Sequence, residues 1–166
     1  MTVDPAAFWG ALKRRGYTFF AGVPDSTFGQ AYALLLRDPE VRYVPAVRED
    51  VALGVASAAY FLGARGCVVM QNSGVGNVVN ALTSYNLVYR VPVRLVVGWR
   101  GYGGPGSDAP EHWVMGAKTP SVFELLDLPW EVLEPARLEE TLDTLTARIE
   151  EASVPGALLV RPGVFA

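Results

Sequence analysis

Short runs of β-branched and aromatic residues alternate along the chain with longer stretches in which apolar residues recur every three or four positions. The first such stretch follows Asp4-Pro5, a capping residue and a first-turn proline. It presents Phe8, Trp9 and Leu12 on one face and stops at Gly16. Tyr17 to Ala21 reads as a short buried strand, and Gly22 to Ser26 as a loop. Asp25 or Ser26 then caps a helix carrying Phe28, Tyr32, Leu35 and Leu36. The same alternation predicts strands over 42–47, 66–71, 92–98, 131–133 and 157–160. It predicts helices over 49–62, 77–88, 111–117, 121–126 and 136–152, the last with Leu138, Leu142, Leu145 and Ile149 on one face. A Gly/Pro-rich segment, 99–110, separates two of these elements.

Strands that alternate with helices imply a single α/β domain over 1–166, a three-layer α/β/α arrangement around a central, mostly parallel sheet. No internal repeat or low-complexity tract interrupts it. In open sheets of this kind ligands bind beyond the carboxyl ends of the strands. That rule selects four loops, 22–26, 47–49, 71–77 and 98–112, and the unusual residues of the chain fall in them.

Composition narrows the function. Hydrophobic residues make up 51% of the 166 and charged residues only 19%, an apolar balance that fits either a well-filled core or apolar surface meant for a partner. The net charge of -3 comes without a clustered basic face, which excludes a nucleic-acid footprint. The only tight basic cluster, Lys13-Arg14-Arg15, closes the first helix, where cations suit the dipole. One cysteine, Cys67, permits no intrachain disulfide and reads as a buried strand residue. No paired Cys/His spacing points to a metal site. No apolar stretch reaches the roughly 18 residues of a membrane span, and the first residues do not read as a signal peptide. The expected location is the cytoplasm.

Candidate chemistry lies in the selected loops. Glu49 follows a strand and opens a helix of small residues; by position alone it reads as a first-turn acid favoured by the helix dipole. Gln71-Asn72-Ser73-Gly74-Val75-Gly76-Asn77 combines glycines that admit a ligand close to the backbone with neutral hydrogen-bonding side chains. It lacks the third glycine of a dinucleotide fingerprint, since Val79 stands there, and it has no phosphate-loop lysine. Gly101, Gly103 and Gly106 do have the fingerprint spacing, but Pro105 lies between them and no strand–turn–helix context follows. Arg100 suits a bidentate anion contact or a carboxylate on a partner chain. His112 is the only histidine, placed beyond a strand's carboxyl end.

Four segments together resemble one family: Gly22 to Ser26, Arg48-Glu49 with its Gly/Ala-rich helix, Met70 to Asn77 continuing through Asn80 to Ser84, and Gly98-Trp99-Arg100-Gly101. In order and spacing they are similar to the pyrimidine-binding domain of sulfopyruvate and phosphonopyruvate decarboxylases, along nearly the whole chain. The resemblance implies thiamine diphosphate as cofactor, with Glu49 at N1′ of its aminopyrimidine ring, where a partly desolvated carboxylic acid favours the 4′-imino form. It implies that Asn72, Ser73, Gly74, Gly76 and Asn77 line the cofactor cleft. Ser26 and its neighbour Asp25 face the substrate carboxylate, and His112 is a proton donor. To these we add Arg100 as a contact for the substrate's terminal sulfonate or phosphonate. The family's diphosphate-binding domain, with its Gly-Asp-Gly and Mg²⁺, has no counterpart here. The expectation is a second subunit that carries both, with the cofactor bound between the chains. The alternatives are an acyloin ligase using the same carbanion and a non-catalytic module of the same fold.

Overall fold

Asp4 caps the first helix, α1 (Pro5–Arg14), its carboxylate accepting the Ala6 and Ala7 amides. The computed structural model describes residues 1–165. Six strands follow in turn: β1 (Tyr17–Gly22), β2 (Arg42–Pro45), β3 (Arg65–Gln71), β4 (Arg94–Gly98), β5 (Trp130–Val132) and β6 (Gly156–Val160). They form one sheet in the order β2-β1-β3-β4-β6-β5, and every pairing is parallel. The remaining helices are α2 (Gly29–Arg37), α3 (Glu49–Phe61), α4 (Val75–Ala81), α5 (Pro110–Leu125) and α6 (Leu138–Ala152).

Alternation along the strands divides the core. Phe20, Cys67, Val69, Val96 and Leu158 point to one face, where Phe8, Trp9 and Leu12 of α1, Leu35 of α2, and Leu142, Leu145 and Ile149 of α6 cover them. Ala21, Val68, Met70, Leu95, Val97 and Leu159 point to the other, beneath Leu53 and Ala56 of α3, Val78 of α4 and Phe123 of α5. This is the expected three-layer α/β/α fold, with the sheet fully parallel. The basic cluster ties elements together: Lys13 pairs with Asp38 and Glu40, and Arg14 and Arg15 with Glu139 on α6. Surface ion pairs add little, so the apolar contacts between α1 and α6 carry that junction.

Three expectations need correction. The strand predicted over 42–47 ends at Pro45: its one neighbour, β1, itself ends at Gly22, whose carbonyl takes the Ala46 amide as the last ladder bond. The helix predicted after residue 76 begins earlier. A single 3₁₀ turn, 72–74, leads directly into α4, so Gly76 lies in its first turn, and α4 then widens into a π turn over 82–86. The two helices predicted over 111–117 and 121–126 are one helix, α5, with Pro120 inside it. Proline there cannot donate to the carbonyl four residues earlier, Gly116. The Trp99 indole takes that carbonyl instead, at 2.8 Å.

Candidate functional site

The carboxyl ends of β1, β3 and β4 lie side by side in the sheet, and the residues selected from the sequence collect around them. Glu49 opens α3 in its first turn. Its Oε2 accepts a hydrogen bond from Asn77 Nδ2 at 2.7 Å, which joins the start of α3 to the start of α4. Its carboxylate lies over Gly74: a Cβ at that position would meet Glu49 Cδ at 2.4 Å and Oε1 at 2.6 Å. Only glycine leaves room for the acid to lie there, so the loop sequence and the position of Glu49 are one feature.

Asp25 caps the 3₁₀ turn Ser26–Phe28. Its Oδ1 accepts the Thr27 amide and the Thr27 hydroxyl, both at 3.1 Å. Its Oδ2 is buried without a protein partner, against Gly98, where a Cβ would come within 1.9 Å of it. Burial pushes the Asp25 carboxyl above its ordinary range; the Thr27 donors and the charges of Arg100 and His112 pull the other way. His112 sits half-buried in the first turn of α5. Its backbone carbonyl packs on Gly101, and the Gly101 and Gly116 backbones approach so closely that a Cβ on either would collide with the other segment.

Arg100 follows β4 and is heavily engaged. Its Nε and Nη2 donate to the two oxygens of Asp108 at 2.7 and 2.6 Å, and its Nη1 donates to Ser26 Oγ at 3.0 Å. Asp108 also accepts the Gly101 amide and the Ala109 amide, both at 2.8 Å. The guanidinium holds the Asp108 carboxyl well below the usual carboxylate range. The glycine-rich segment after β4 is therefore fastened at its base. The Trp113 indole adds a hydrogen bond to the Asp108 carbonyl at 2.7 Å.

The other cleft residues divide. Asn72 is 1% exposed, and its side chain serves the chain itself. It donates to the Arg100 carbonyl (2.9 Å) and to Thr119 Oγ1 (3.0 Å) and accepts the Arg100 amide (3.0 Å). Both ends of this amide thus clamp the Arg100 backbone. Ser73 is exposed and accepts from Gln71 Nε2 at 2.7 Å. Gly76 is exposed, with nothing of this chain near its missing Cβ. Ser26, Arg100, Ser107 and Asp108, with Pro162 and Gly163, wall a cavity of about 270 Å³. Asp108, Thr27 and Thr119 were absent from the sequence-based candidates. For Asp108 the only signal is an acid placed just before a first-turn proline. Among the described residues, no group of three or more His, Cys, Asp or Glu is placed to hold a metal ion. No helix among them is long and apolar enough to cross a membrane.

A parallel sheet whose carboxyl edge presents an acid over a glycine, an amide beside it and a buried acid next to a histidine-bearing helix is an α/β domain with its polar residues gathered where such sheets bind small ligands. Residues 5–118 match the family described as thiamine pyrophosphate enzyme, N-terminal TPP binding domain, and the chain belongs to that family. It is similar to the phosphonopyruvate decarboxylase of Streptomyces viridochromogenes, 33% identical over 99% of this chain and 42% of that protein. It is also similar to the phosphonopyruvate decarboxylase of Streptomyces hygroscopicus, 34% identical over 93% of this chain and 39% of that protein. A third relative, the sulfopyruvate decarboxylase subunit alpha of Methanothermobacter thermautotrophicus, is 32% identical over 88% of both chains. The chain thus spans about two-fifths of the phosphonopyruvate decarboxylases and nearly all of the alpha subunit. Family membership makes thiamine diphosphate the cofactor class.

Proposed function

We propose that this chain is the alpha subunit of a thiamine-diphosphate-dependent decarboxylase acting on a three-carbon 2-keto acid with a terminal anion, 3-sulfopyruvate or 3-phosphonopyruvate, and releasing CO₂ and the aldehyde. The observation that carries the reading is the Glu49 carboxylate, laid over Gly74 and held through Oε2 by Asn77. That arrangement suits a planar aminopyrimidine, whose N1′ needs an acid able to hold and release a proton. The bound cofactor supplies a carbon nucleophile and an electron sink. The chain's own residues do the rest. Glu49 exchanges the proton at N1′, and Asn77 fixes the carboxylate that does so. Asp25, whose carboxyl burial shifts upward, lies beside Ser26 at the substrate end, and His112 is the proton donor. Ser26 faces the substrate carboxylate, and Arg100 meets the terminal anion through Nη1.

The diphosphate and Mg²⁺ are assigned to a second chain of a hetero-oligomer. An alpha subunit matched over 88% of its length supports this division. Val47, Phe61 and Leu62, at 88%, 63% and 86% exposure, add apolar surface of the kind partners cover.

Replacing Glu49 by Gln, in the complex with the co-purifying partner, tests the reading. Cofactor binding is expected to persist while decarboxylation falls by about 10²–10⁴-fold. Unchanged turnover in Glu49→Gln would favour the non-catalytic module. An acyloin formed from added aldehyde in preference to free aldehyde product would favour the ligase.

A further inference from the structure

We propose that Asp108 sets the charge that the Arg100 cavity accepts, so that the cavity selects a singly charged sulfonate over a doubly charged phosphonate. The inference rests on the reading of the substrate above and goes beyond it, because that reading leaves the two anions equal.

The cavity of about 270 Å³ has room for a tetrahedral headgroup. Its walls carry one cation, Arg100, and that cation is already matched. Both Asp108 oxygens face the guanidinium fork at 2.6–2.7 Å. The carboxylate is itself held by two backbone amides, so it cannot swing away without leaving those donors unpaired. One arm of the guanidinium, Nη1, is turned from Asp108 toward the Ser26 hydroxyl, at 3.0 Å. The wall therefore offers directional donors, Nη1 and the hydroxyl of Ser26, with no net positive charge, since the Ser107 hydroxyl donates to backbone carbonyls of its own loop.

A monoanion needs little more than that. Its single charge meets Nη1 and the Ser26 hydroxyl, and its interaction with Arg100 outweighs the more distant Asp108. A dianion brings a second charge beside Asp108 with no second cation to offset it, and it gives up more hydration on entering. The other ionisable groups that act on Arg100 are Asp25 and Glu111, both acids. The arginine on the next strand end, Arg161, is paired with Glu134 at 2.9 Å. Discrimination thus comes from the compensating acid rather than from the arginine.

Methanesulfonate and methylphosphonate share a tetrahedral shape and differ in charge at alkaline pH, where the phosphonate is a dianion. Titrating each into this chain, and following the Arg100 Nε–H and Ser26 amide by NMR, reads the selectivity without turnover. The expected result is sulfonate binding tighter by about tenfold or more. In Asp108→Asn, which removes the charge and keeps an oxygen for one of the two amides, that preference is expected to shrink by a similar factor or to reverse. Equal or tighter binding of the phosphonate to the unmutated chain overturns the proposal, as does the absence of any response at Arg100. Parallel weakening of both probes in Asp108→Asn also overturns it, because a purely positional role would act on both alike. The wild-type comparison decides the matter even if the variant does not fold. Failure of the assembled complex to decarboxylate either keto acid would count against the proposed activity and leave the charge preference of the cavity standing.

Discussion

Asp25 holds one carboxylate oxygen on Thr27 and buries the other with no protein partner. Its folded-state proton affinity is raised above the ordinary value. A carboxyl raised in this way contributes stability that is fully present at low pH and is lost as pH climbs from the ordinary carboxylate range through the raised one. Asp25→Asn is therefore expected to melt at a higher temperature than the unmutated chain at neutral pH. The difference should close as pH falls below the ordinary range. Melting curves across pH check this, and identical profiles for the two proteins would count against a costly buried carboxylate. Such a residue trades stability for a site.

At this scale the sequence reveals residue types and their loops. Asp25, Ser26, Glu49, Asn77, Arg100 and His112 all occur where the rule for parallel sheets places ligands. It does not reveal which amide side chain turns inward. Asn72 and Asn77 look alike in a glycine-rich segment, yet one clamps the Arg100 backbone and the other holds Glu49. Asp108 lies eight residues beyond Arg100 among glycines and prolines, and no periodicity links the two.

Helix α5 shows how a local rule yields to a tertiary contact. Pro120 reads as a helix breaker, but Trp99, arriving from the end of β4, supplies the donor that the Gly116 carbonyl lacks. Trp99→Phe is expected to cost about 1–3 kcal/mol by orphaning that carbonyl. In a Pro120→Ala background the residue at 120 regains an N–H for Gly116, so the same change should cost clearly less. Chemical unfolding of the four proteins of this double-mutant cycle measures the coupling; equal costs in both backgrounds would refute the exchange of donors. Long, strongly periodic elements such as α1 and α6 are legible from their apolar spacing alone. The continuity of α5 is not, since it depends on a side chain some twenty residues earlier in the chain.

For the molecule as a whole, the centre of the sheet is the most protected region. Cys67 lies on β3, flanked by β1 and β4, and burial pushes its thiol up to about 12. Because the folded-state value is raised, this group's contribution to stability is complete below the ordinary thiol range and is lost as pH rises from there toward the folded value. The native thiol is expected to resist alkylation, with labelling that follows the fraction of unfolded molecules as denaturant is added. Prompt labelling of the native protein, insensitive to denaturant, would place a local opening at β3 instead. The three layers are legible because strands buried on both faces read as apolar runs between helices. Strand order is not legible, because the crossovers that set it leave no periodic trace.

The position of β6 has a consequence for how the chain comes into being. The last strand in sequence lies inside the sheet, between β4 and β5, and the segment after it returns to the start, where Val3 bridges Phe165. While the ribosome is still adding residues before about position 160, β4 has an uncovered edge and β5 has no neighbour to pair with. The sheet closes only when nearly all of this segment has left the exit tunnel. Until then the nascent chain exposes strand edges of the kind chaperones shield.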